Sequence, residues 1–441
     1  MLPLKPSDLN NDSGSGLETA SNEMVDYDIE TDARSPPVAP LQLQSDDVQE
    51  HSRLTAWSQV FVAFLLVFNG FGYFSSFGLF ESQWVEILHS SPSAIAWVGS
   101  LMIFLLFFLG IYSGPMMDAG HFRSLIICGL VFQIIGVFTT SLVKSYWQLI
   151  LTQGIVQGIG NGFHFTPLVT LVSLYFDKNR AFALSVSACG APIGGIVFPL
   201  ISRQLSDKIG YPWTIRVMGF LMVFNGIVIV LLARPKKVKK ERRSLVDLAA
   251  FKELAYLFYA IGIFFALWGL YIAYFYTSTF GKAKIGLSDS DSLTLLLVLN
   301  AAGIPGRLIP AFMGDRLFGP FNTMLPFVMG VSIMLLVWMR VDSTGGFYAF
   351  VIIYGVCANA VQTLFPSTLS TFTKDPSKMG QRIGMVFGVA SLACLTGPPL
   401  AGVMISVGHG SYLYLQLYGG VSVLLGFVLL CISRFFQFRG M

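Results

Sequence analysis

The sequence predicts an all-α membrane protein with twelve transmembrane helices in two pseudo-symmetric halves of six. Three observations predict this fold class. Hydrophobic residues make up 54% of the 441 residues and charged residues only 12%, whereas an average soluble domain has about 25% charged residues. Apolar runs of about 18 to 25 residues, each long enough to cross a bilayer core, follow one another from Trp57 to Ser433. Similar residues also recur about 200 positions apart.

The apolar runs predict the position of each transmembrane span. The twelve spans cover 57–80, 92–114, 124–143, 147–171, 181–204, 213–233, 252–279, 292–312, 322–340, 346–368, 383–406 and 411–433. The connections between these spans are too short for a folded extramembrane domain. We therefore expect any binding chemistry to lie within the helix bundle.

The chain divides into five segments. Residues 1–53 carry eleven Asp or Glu against three Lys or Arg and are expected to form a disordered acidic cytosolic tail. Residues 54–233 and 251–433 form the two six-helix halves, 234–250 a basic cytosolic linker, and 434–441 a short cytosolic tail. The acidic tail has no apolar segment behind basic residues, so a cleaved signal peptide is not expected.

Lysine and arginine in the short loops predict the orientation, because positively charged loops stay in the cytoplasm. Even-numbered loops, counted with Lys252, hold fifteen Lys or Arg, and odd-numbered loops hold six. Both termini are therefore expected in the cytosol, with the plasma membrane as the expected location. The basic run 234–243 has two interpretations: a solvated determinant of this orientation, or a site that attracts anionic lipid headgroups.

Three pairs of residues indicate an internal repeat. The pairs are Pro167 with Pro366, Pro199 with Pro399, and Asp118 with Asp315. Their separations are 199, 200 and 197 positions, which indicates two related halves. Parallel halves of this kind enclose a site near the bilayer midplane and rock about it, which is alternating access.

Several segments resemble a known family. The segment 114–123 (GPMMDAGHFR) resembles the loop signature of the major facilitator superfamily. The segments 175–183 (YFDKNRAFA), 188–199 (ACGAPIGGIVFP), 211–216 (YPWTIR) and 299–310 (LNAAGIPGRLIP) resemble its monocarboxylate porter branch in the fungal form. The resemblance covers almost the whole apolar body. It implies the major facilitator fold and a transport function.

The same segments differ from the animal lactate carriers of this branch. Those carriers resemble each other in a lysine of span one and in an acid one turn before the arginine of span eight. Here the lysine position falls at Ser75 or Ser76, and Gly303 stands one turn before Arg307. The resemblance therefore indicates descent and leaves the substrate open.

Arg307 and His164 are the ionisable residues that stand out inside the spans, where an unpartnered polar group is costly. Arg307 offers a planar guanidinium suited to a carboxylate or phosphate, and pairing with backbone carbonyls is its alternative. His164 lies near the middle of span four and is the obvious carrier if a proton crosses the core, since imidazole titrates near neutral pH. A neutral histidine bonded to a neighbouring helix is the alternative for His164.

Further polar residues inside the spans are candidates for contact with substrate. They are Asn69, Tyr73 and Ser75 in span one, Asn161 in span four, Tyr271 in span seven, Asn300 in span eight, and Asn359 and Gln362 in span ten. Tyr271 shares a helix face with Tyr274, and Asn359 shares one with Gln362. Each of these side chains has a second interpretation, which is a hydrogen bond that joins two helices.

Charged residues at the even-numbered loops predict an inner gate. The expected ion pairs are Asp118 with Arg123, Asp177 with Arg180, and Asp315 with Arg316. Exposed ion pairs contribute only about 0 to 1 kcal/mol each. Several together can still bias an equilibrium between two states that differ by a few kcal/mol.

Motifs for other chemistry are missing from the sequence. It contains no HExxH, no GxxxxGK[ST] phosphate loop and no GxSxG elbow, so neither an enzyme nor an ATP-driven pump is supported. The five cysteines form no CxxC pair, and no metal or cofactor is expected.

We therefore expect a secondary active or facilitative transporter that moves a small organic solute, anionic or amphipathic, across a fungal membrane. Export of a metabolite is the first version, and uptake of a monocarboxylate or vitamin-like nutrient is the alternative. A sensor that binds the solute without transporting it is a third. The expected partners are the solute, with or without a proton, and membrane lipid. We expect a monomer that does not bind nucleic acid, because the basic residues form no single patch.

Overall fold

The computed structural model describes residues 53–439 apart from 77–79, 81–83, 85–86, 91, 177, 236–246 and 374–377. Within this part the chain is helical and contains no strand. The acidic tail and most of the basic linker lie outside the described residues. The segment boundaries expected for them stay predictions.

Twelve long helices make up the described part of the chain. They are α1 (Arg53–Ser75), α2 (Ala94–Asp118), α3 (Phe122–Thr140), α4 (146–175), α5 (Arg180–Ile209), α6 (Tyr211–Leu232), α7 (Leu254–Ile285), α8 (Ser290–Phe318), α9 (Pro320–Arg340), α10 (Thr344–Thr371), α11 (Met379–Val407) and α12 (Leu413–Arg439). Eleven of these helices are long and apolar enough to cross a membrane. An all-helical protein that crosses the membrane many times is thereby confirmed.

α4 is the helix that falls short of this apolar character, because it carries polar side chains that bond to its neighbours. The side-chain oxygen of Asn161 accepts a hydrogen bond from Gln133 Nε2 of α3 at 2.7 Å. Gln157 Nε2 donates to Thr140 Oγ1, which also belongs to α3, at 3.3 Å. Hydrogen bonds between helices keep such side chains satisfied inside a membrane. The predicted span 147–171 therefore forms a helix in spite of its polarity.

Several helices depart from regular α-helical geometry. α1 contains a π-helical segment at Phe68–Gly72, and α4 contains another at Ile150–Val156. α4 and α10 each contain an internal proline, Pro167 and Pro366, which the sequence repeat pairs. Such features displace backbone hydrogen bonds and often lie at functional sites. All three helices contribute to the central cavity described below.

The first six helices pack against the last six along two interfaces. One of these interfaces lies between α2 and α11. A Cβ on Gly114 would overlap the carbonyl oxygen of Gly380, and a Cβ on Gly384 would overlap that of Gly110. Small residues allow helix backbones to approach this closely in a membrane. A side chain at Gly114, Gly380 or Gly384 would push the two helices apart.

The second interface lies between α5 and α8, which run antiparallel along their length. At one end the backbone N–H of Ala181 donates to Asp315 Oδ1 at 3.1 Å. At the other end Arg203 Nη2 donates to Ser290 Oγ at 3.3 Å. The two interfaces thus join the halves on either side of the bundle's centre.

Candidate solute-binding site

A cavity lies at the centre of the bundle, between the first six and the last six helices. Its volume is about 630 Å³, with the space that is open to solvent included. The lining residues are Val67, Phe71, Phe107, Phe165, Leu168, Val169, Leu184, Ser187, Ala188, Ala191, Leu267, Tyr271, Arg307, Gln362, Thr363, Phe365 and Pro366.

The two sides of the cavity differ in chemistry. On the side of α1, α2, α4 and α5 every lining residue is apolar except Ser187, whose hydroxyl donates to the backbone oxygen of Ala183 at 3.0 Å. On the side of α7, α8 and α10, four of the seven lining residues are polar. They are Tyr271, Arg307, Gln362 and Thr363. The cavity therefore has an apolar wall and a polar wall.

Arg307 is the charged residue of the polar wall and is only 6% exposed. Its Nη1 donates to Thr363 Oγ1 at 3.1 Å, whereas its Nε has no hydrogen-bond partner. The titratable groups close enough to act on its charge are the phenols of Tyr271 and Tyr274 and the thiol of Cys189. A buried cation without a counter-ion is costly, and an anion that enters the cavity would remove this cost.

Tyr274 organises the amides beside Arg307. Its hydroxyl oxygen accepts hydrogen bonds from Asn359 Nδ2 at 2.9 Å and from Gln362 Nε2 at 3.1 Å. The ring of Tyr271 lies 6.1 Å from that of Tyr274. The structure thus brings together Tyr271, Asn359 and Gln362, as the shared helix faces predict, and places them next to Arg307.

His164 and two of the amide candidates lie away from the cavity walls. The His164 ring packs against Gly129 of α3, is 2% exposed, and has no hydrogen-bond partner at either nitrogen. Asn161 bonds to α3, and the side-chain oxygen of Asn69 accepts from Asn225 Nδ2 of α6 at 2.8 Å. The two amides therefore join helices within the first half, which is the second of their two interpretations.

The remaining candidates lie where α1, α5 and α8 meet and do not line the cavity. The Tyr73 ring packs against Phe198 with centroids 5.7 Å apart. Ser75 Oγ donates to the backbone oxygen of Phe71 at 2.8 Å. Asn300 Nδ2 donates to the backbone oxygen of Leu296 at 2.9 Å and to that of Gly195 at 3.4 Å. Ring packing thus engages Tyr73, and hydrogen bonds to backbone oxygens engage Ser75 and Asn300, within the helix contacts.

Sequence reasoning missed the aromatic residues of the cavity. Phe71, Phe107, Phe165 and Phe365 line it, and Phe387 of α11 packs behind them. We call these five residues the phenylalanine cluster. Phenylalanine occurs 39 times in the chain, mostly as ordinary apolar bulk. One signal was present, because Phe165 and Phe365 are 200 positions apart and repeat like the proline pairs.

One face of the bundle is formed by the ends of α2, α4, α8 and α10, at Asp118, Tyr175, Phe318 and Thr371. We call it the even-loop face. Here Asp118 accepts from the backbone N–H groups of Gly380 at 3.1 Å and Gln381 at 2.9 Å, which begin α11. A carboxylate at a helix N-terminus accepts hydrogen bonds from the free N–H groups and interacts favourably with the positive end of the helix dipole.

Asp315 makes the matching bond from the other half. It accepts from the backbone N–H groups of Ala181 at 3.1 Å and Phe182 at 2.7 Å, which begin α5. Each half thus caps a helix of the other half. The repeat of Asp118 and Asp315 in the sequence therefore corresponds to a pair of related bonds between the halves at the even-loop face.

The three arginines of the predicted gate, Arg123, Arg180 and Arg316, differ in their surroundings. Arg123 is exposed, and the guanidinium of Arg316 lies 5.6 Å from the ring centre of Phe312. Arg180 Nε donates to the backbone oxygen of Phe176 at 3.0 Å, and its Nη1 donates to Ser370 Oγ at 3.3 Å. Asp177 lies outside the described residues. The helix caps, which sequence reasoning missed, therefore contribute to closure in addition to any ion pairs.

An ion-pair cluster that the sequence did not predict lies where the linker ends. Arg382 of α11 contacts Glu253 at 2.6 Å and Asp247 at 3.9 Å. Lys378 contacts Asp247 at 3.4 Å. The cluster ties the start of α11 to the start of α7, on the same face as the helix caps.

The comparisons with known proteins agree with this architecture. Residues 62–398 match the Major Facilitator Superfamily. An MFS-type transporter of Gibberella zeae is 35% identical over 422 residues, which cover 93% of this chain and 96% of that protein. The Fujikurins efflux protein of Gibberella fujikuroi is 30% identical over 438 residues, which cover 98% of this chain and 93% of that protein.

Two solved structures have the same fold. The human organic anion transporter MFSD10 (TETRAN) has a TM-score of 0.69 at 14% identity and covers 85% of this chain and 99% of its own. The transporter FucP in the outward conformation has a TM-score of 0.66 at 14% identity, with coverage of 87% and 99%. With the family match over residues 62–398, these findings establish that the chain belongs to the Major Facilitator Superfamily and is a multi-pass membrane transporter of small solutes.

Proposed function

We propose that this protein exports a small organic anion with an apolar body from a fungal cell by alternating access. The observation that carries the proposal is Arg307, a buried cation without a described counter-ion in a cavity that both halves line. An anion would neutralise the guanidinium, and the apolar wall would receive the rest of the molecule. Relatives named as efflux proteins for fujikurins, aspyridones and agnestins support export.

The proposed transport cycle uses the contacts of the even-loop face. The caps at Asp118 and Asp315 and the glycine contacts between α2 and α11 must break for the cavity to open on that face. The anion then reaches Arg307 and shields its charge. Closure of the same contacts isolates the solute from the cytosol before the opposite face opens.

The proposal includes a location, an orientation and an ancestry. The even-loop face and both termini lie in the cytosol, and the carrier works as a monomer among plasma-membrane lipids. The excess of Lys and Arg in the even-numbered loops supports this orientation. The segments 175–183 and 188–199 support descent from the monocarboxylate porter branch. The domain division into 54–233 and 251–433, with a basic linker between them, belongs to the same proposal.

The first experiment compares the solutes inside and outside fungal cells that carry the wild-type protein, no protein, or one of two variants. Arg307→Gln removes the charge of the cavity. Arg340→Gln removes a charge from an exposed arginine at the end of α9 and is the matched control.

We expect one class of organic anion to accumulate inside cells without the protein and inside cells with Arg307→Gln. The Arg340→Gln cells should match the wild type, and all variants should reach the membrane in equal amounts. Higher internal anion with the protein than without it would reverse the direction to uptake. Wild-type export by Arg307→Gln would eliminate the proposed anion site.

A further inference from the structure

The two walls of the cavity restrict the shape of the solute as well as its charge. We infer that the cavity takes anions whose apolar part is a flat ring system, with the charged group toward α7, α8 and α10 and the ring toward α1, α2 and α4. This inference rests on the proposed function, because it names the substrate class of the same site. Its evidence is the phenylalanine cluster and the one-sided placement of polar groups.

The apolar wall presents aromatic rings at distances that suit further rings. Phe71 lies 5.1 Å from Phe165, and Phe107 lies 5.5 Å from Phe165 and 6.2 Å from Phe71, all measured between ring centres. The interplanar angles of these three pairs are 57°, 82° and 61°. Aromatic rings attract one another in tilted, edge-to-face or offset-stacked geometry at about 4.5 to 7 Å. The wall therefore offers both ring faces and ring edges to a guest.

The protein itself places a flat ring on this wall. Phe387 of α11 stacks on Phe165 with centres 5.3 Å apart and planes 25° apart. Phe387 also lies 5.4 Å from Phe107 and 5.2 Å from Phe365. The phenylalanine cluster thus already accommodates one flat ring in stacked geometry, behind the residues that line the cavity.

Packing favours a flat guest for a second reason. The guest must fit between the apolar wall and the polar wall of the cavity. Optimal carbon–carbon contact is about 3.5 to 4.0 Å. An aromatic ring is one atom thick and fits between such walls with less separation than a puckered saturated ring. Binding of an aromatic acid therefore separates the two walls less than binding of a saturated acid, and it costs less packing energy.

Polar groups on one wall set a single orientation for such a guest. Tyr271, Arg307, Gln362 and Thr363 all belong to the last six helices. The lone polar residue of the opposite wall, Ser187, already donates its hydroxyl proton to the backbone. A carboxylate or enolate placed against the phenylalanine cluster would lose its hydration without compensation. The charged end therefore faces Arg307.

The test uses the full-length protein in lipid vesicles and three probes. 2-Naphthoate is flat and anionic, decahydro-2-naphthoate has the same charge but a saturated ring system, and 2-naphthamide is flat and neutral. Transport and binding competition are measured for each probe. The variants are Phe165→Leu and Phe71→Leu in the cavity, Arg307→Gln, and Phe132→Leu as the matched control, since Phe132 is an exposed residue of α3 outside the cavity.

For the wild type we expect about three- to tenfold tighter binding of naphthoate than of its saturated analogue, which is the scale of one or two aromatic contacts. Each cavity Phe→Leu variant should bring this ratio close to one while the preference for naphthoate over naphthamide remains. Arg307→Gln should remove the preference for the anion and leave the preference for flat rings. Phe132→Leu should behave as the wild type.

Equal binding of both acids by the wild type would overturn this inference and leave the anion site intact. Binding of neither acid, or equal binding of naphthoate and naphthamide, would overturn the proposed function as well. The probe comparison in the wild type needs no variant, so misfolding of a cavity variant leaves the result decisive. Thermal unfolding of each purified variant identifies those that fold.

Discussion

The described residues around Arg307 provide a hydrogen-bond partner for its guanidinium but no opposite charge. Thr363 orients one guanidinium nitrogen, and Tyr274 holds two amides nearby. Among the described residues no carboxylate lies within ion-pair distance of Arg307. We therefore expect an anion, and not a neutral solute of the same shape, to relieve the energetic cost of this buried charge.

His164 gives the second prediction at the scale of single residues. Its imidazole is buried against Gly129, and the described residues provide no hydrogen-bond partner for either nitrogen. An imidazolium there would be buried without compensation. We expect His164→Gln to give the same solute flux as the wild type at each external pH. The measurement is flux into vesicles at about pH 5.5 and 7.5, on either side of the ordinary histidine titration.

The control for this prediction is the amount of folded His164→Gln protein, measured by thermal unfolding. A folded variant that transports solute but no longer responds to external pH would make His164 the proton carrier. In that case the histidine must become accessible in another conformation of the cycle.

The sequence identifies Arg307, Tyr271 and Gln362 because a polar side chain inside the bilayer is costly unless it has a partner. It does not separate them from Asn69 or Asn161, since an amide serves equally to join helices or to bind a solute. The distinction depends on how each helix is rotated about its axis. In a membrane both faces of a helix are apolar, so the hydrophobic pattern that sets this rotation in soluble proteins is weak. For the same reason the sequence does not predict which phenylalanines face the cavity.

At the scale of helices, the even-loop face is held by contacts that cross from one half to the other. Asp118 caps α11, Asp315 caps α5, and glycines bring α2 and α11 together. The sequence indicated charged gate residues and their repeat. It did not indicate helix N-termini as partners, because this requires knowing which helix of the other half begins next to each acid.

Asp118→Asn tests the cap of α11. The amide oxygen still accepts one of the two hydrogen bonds, but the NH2 group that replaces the second oxygen cannot accept the other. The negative charge at the helix N-terminus is also lost, which costs about 0.3 to 1 kcal/mol and up to about 2 kcal/mol when partly buried. We expect the even-loop face to open more often. The readout is the rate at which a membrane-impermeant maleimide labels Ser367→Cys, a buried residue of the cleft beside Asp315, in a background without native cysteines.

Arg123→Gln is the matched control for this experiment, since Arg123 was the expected ion-pair partner of Asp118. We expect labelling to rise about two- to fivefold in Asp118→Asn and to stay at the wild-type rate in Arg123→Gln. The reverse order would mean that the ion pair, and not the helix cap, holds this face closed.

At the scale of the whole molecule, the positions of the spans are the best-predicted feature. The thickness of the bilayer forces each run of apolar residues to a similar length, so the sequence gives the order and approximate bounds of all twelve helices. The ends are less well predicted. α7 extends to Ile285, beyond the predicted limit at 279, because Gly281–Ile285 continues as π-helix into a glycine.

The position of the cavity leads to a prediction about the N-terminal tail. Every described residue that lines the cavity falls between Val67 and Pro366. We expect a protein that begins at Arg53 to transport at the wild-type rate per molecule in the membrane. Flux is measured in vesicles and normalised to folded protein. Loss of flux with intact solute binding would instead favour a sensor whose output depends on the tail.

The polarity of α4 has a consequence for how the protein is made. A segment with four glutamines or asparagines, at Gln148, Gln153, Gln157 and Asn161, partitions poorly into lipid by itself. Its partners Gln133 and Thr140 lie on α3, the segment synthesised immediately before it. We expect the two to leave the translocon together as a helical hairpin, with Gln157 and Asn161 already bonded to α3. Insertion of α4 would then depend on bonds that form before most of the protein has been synthesised.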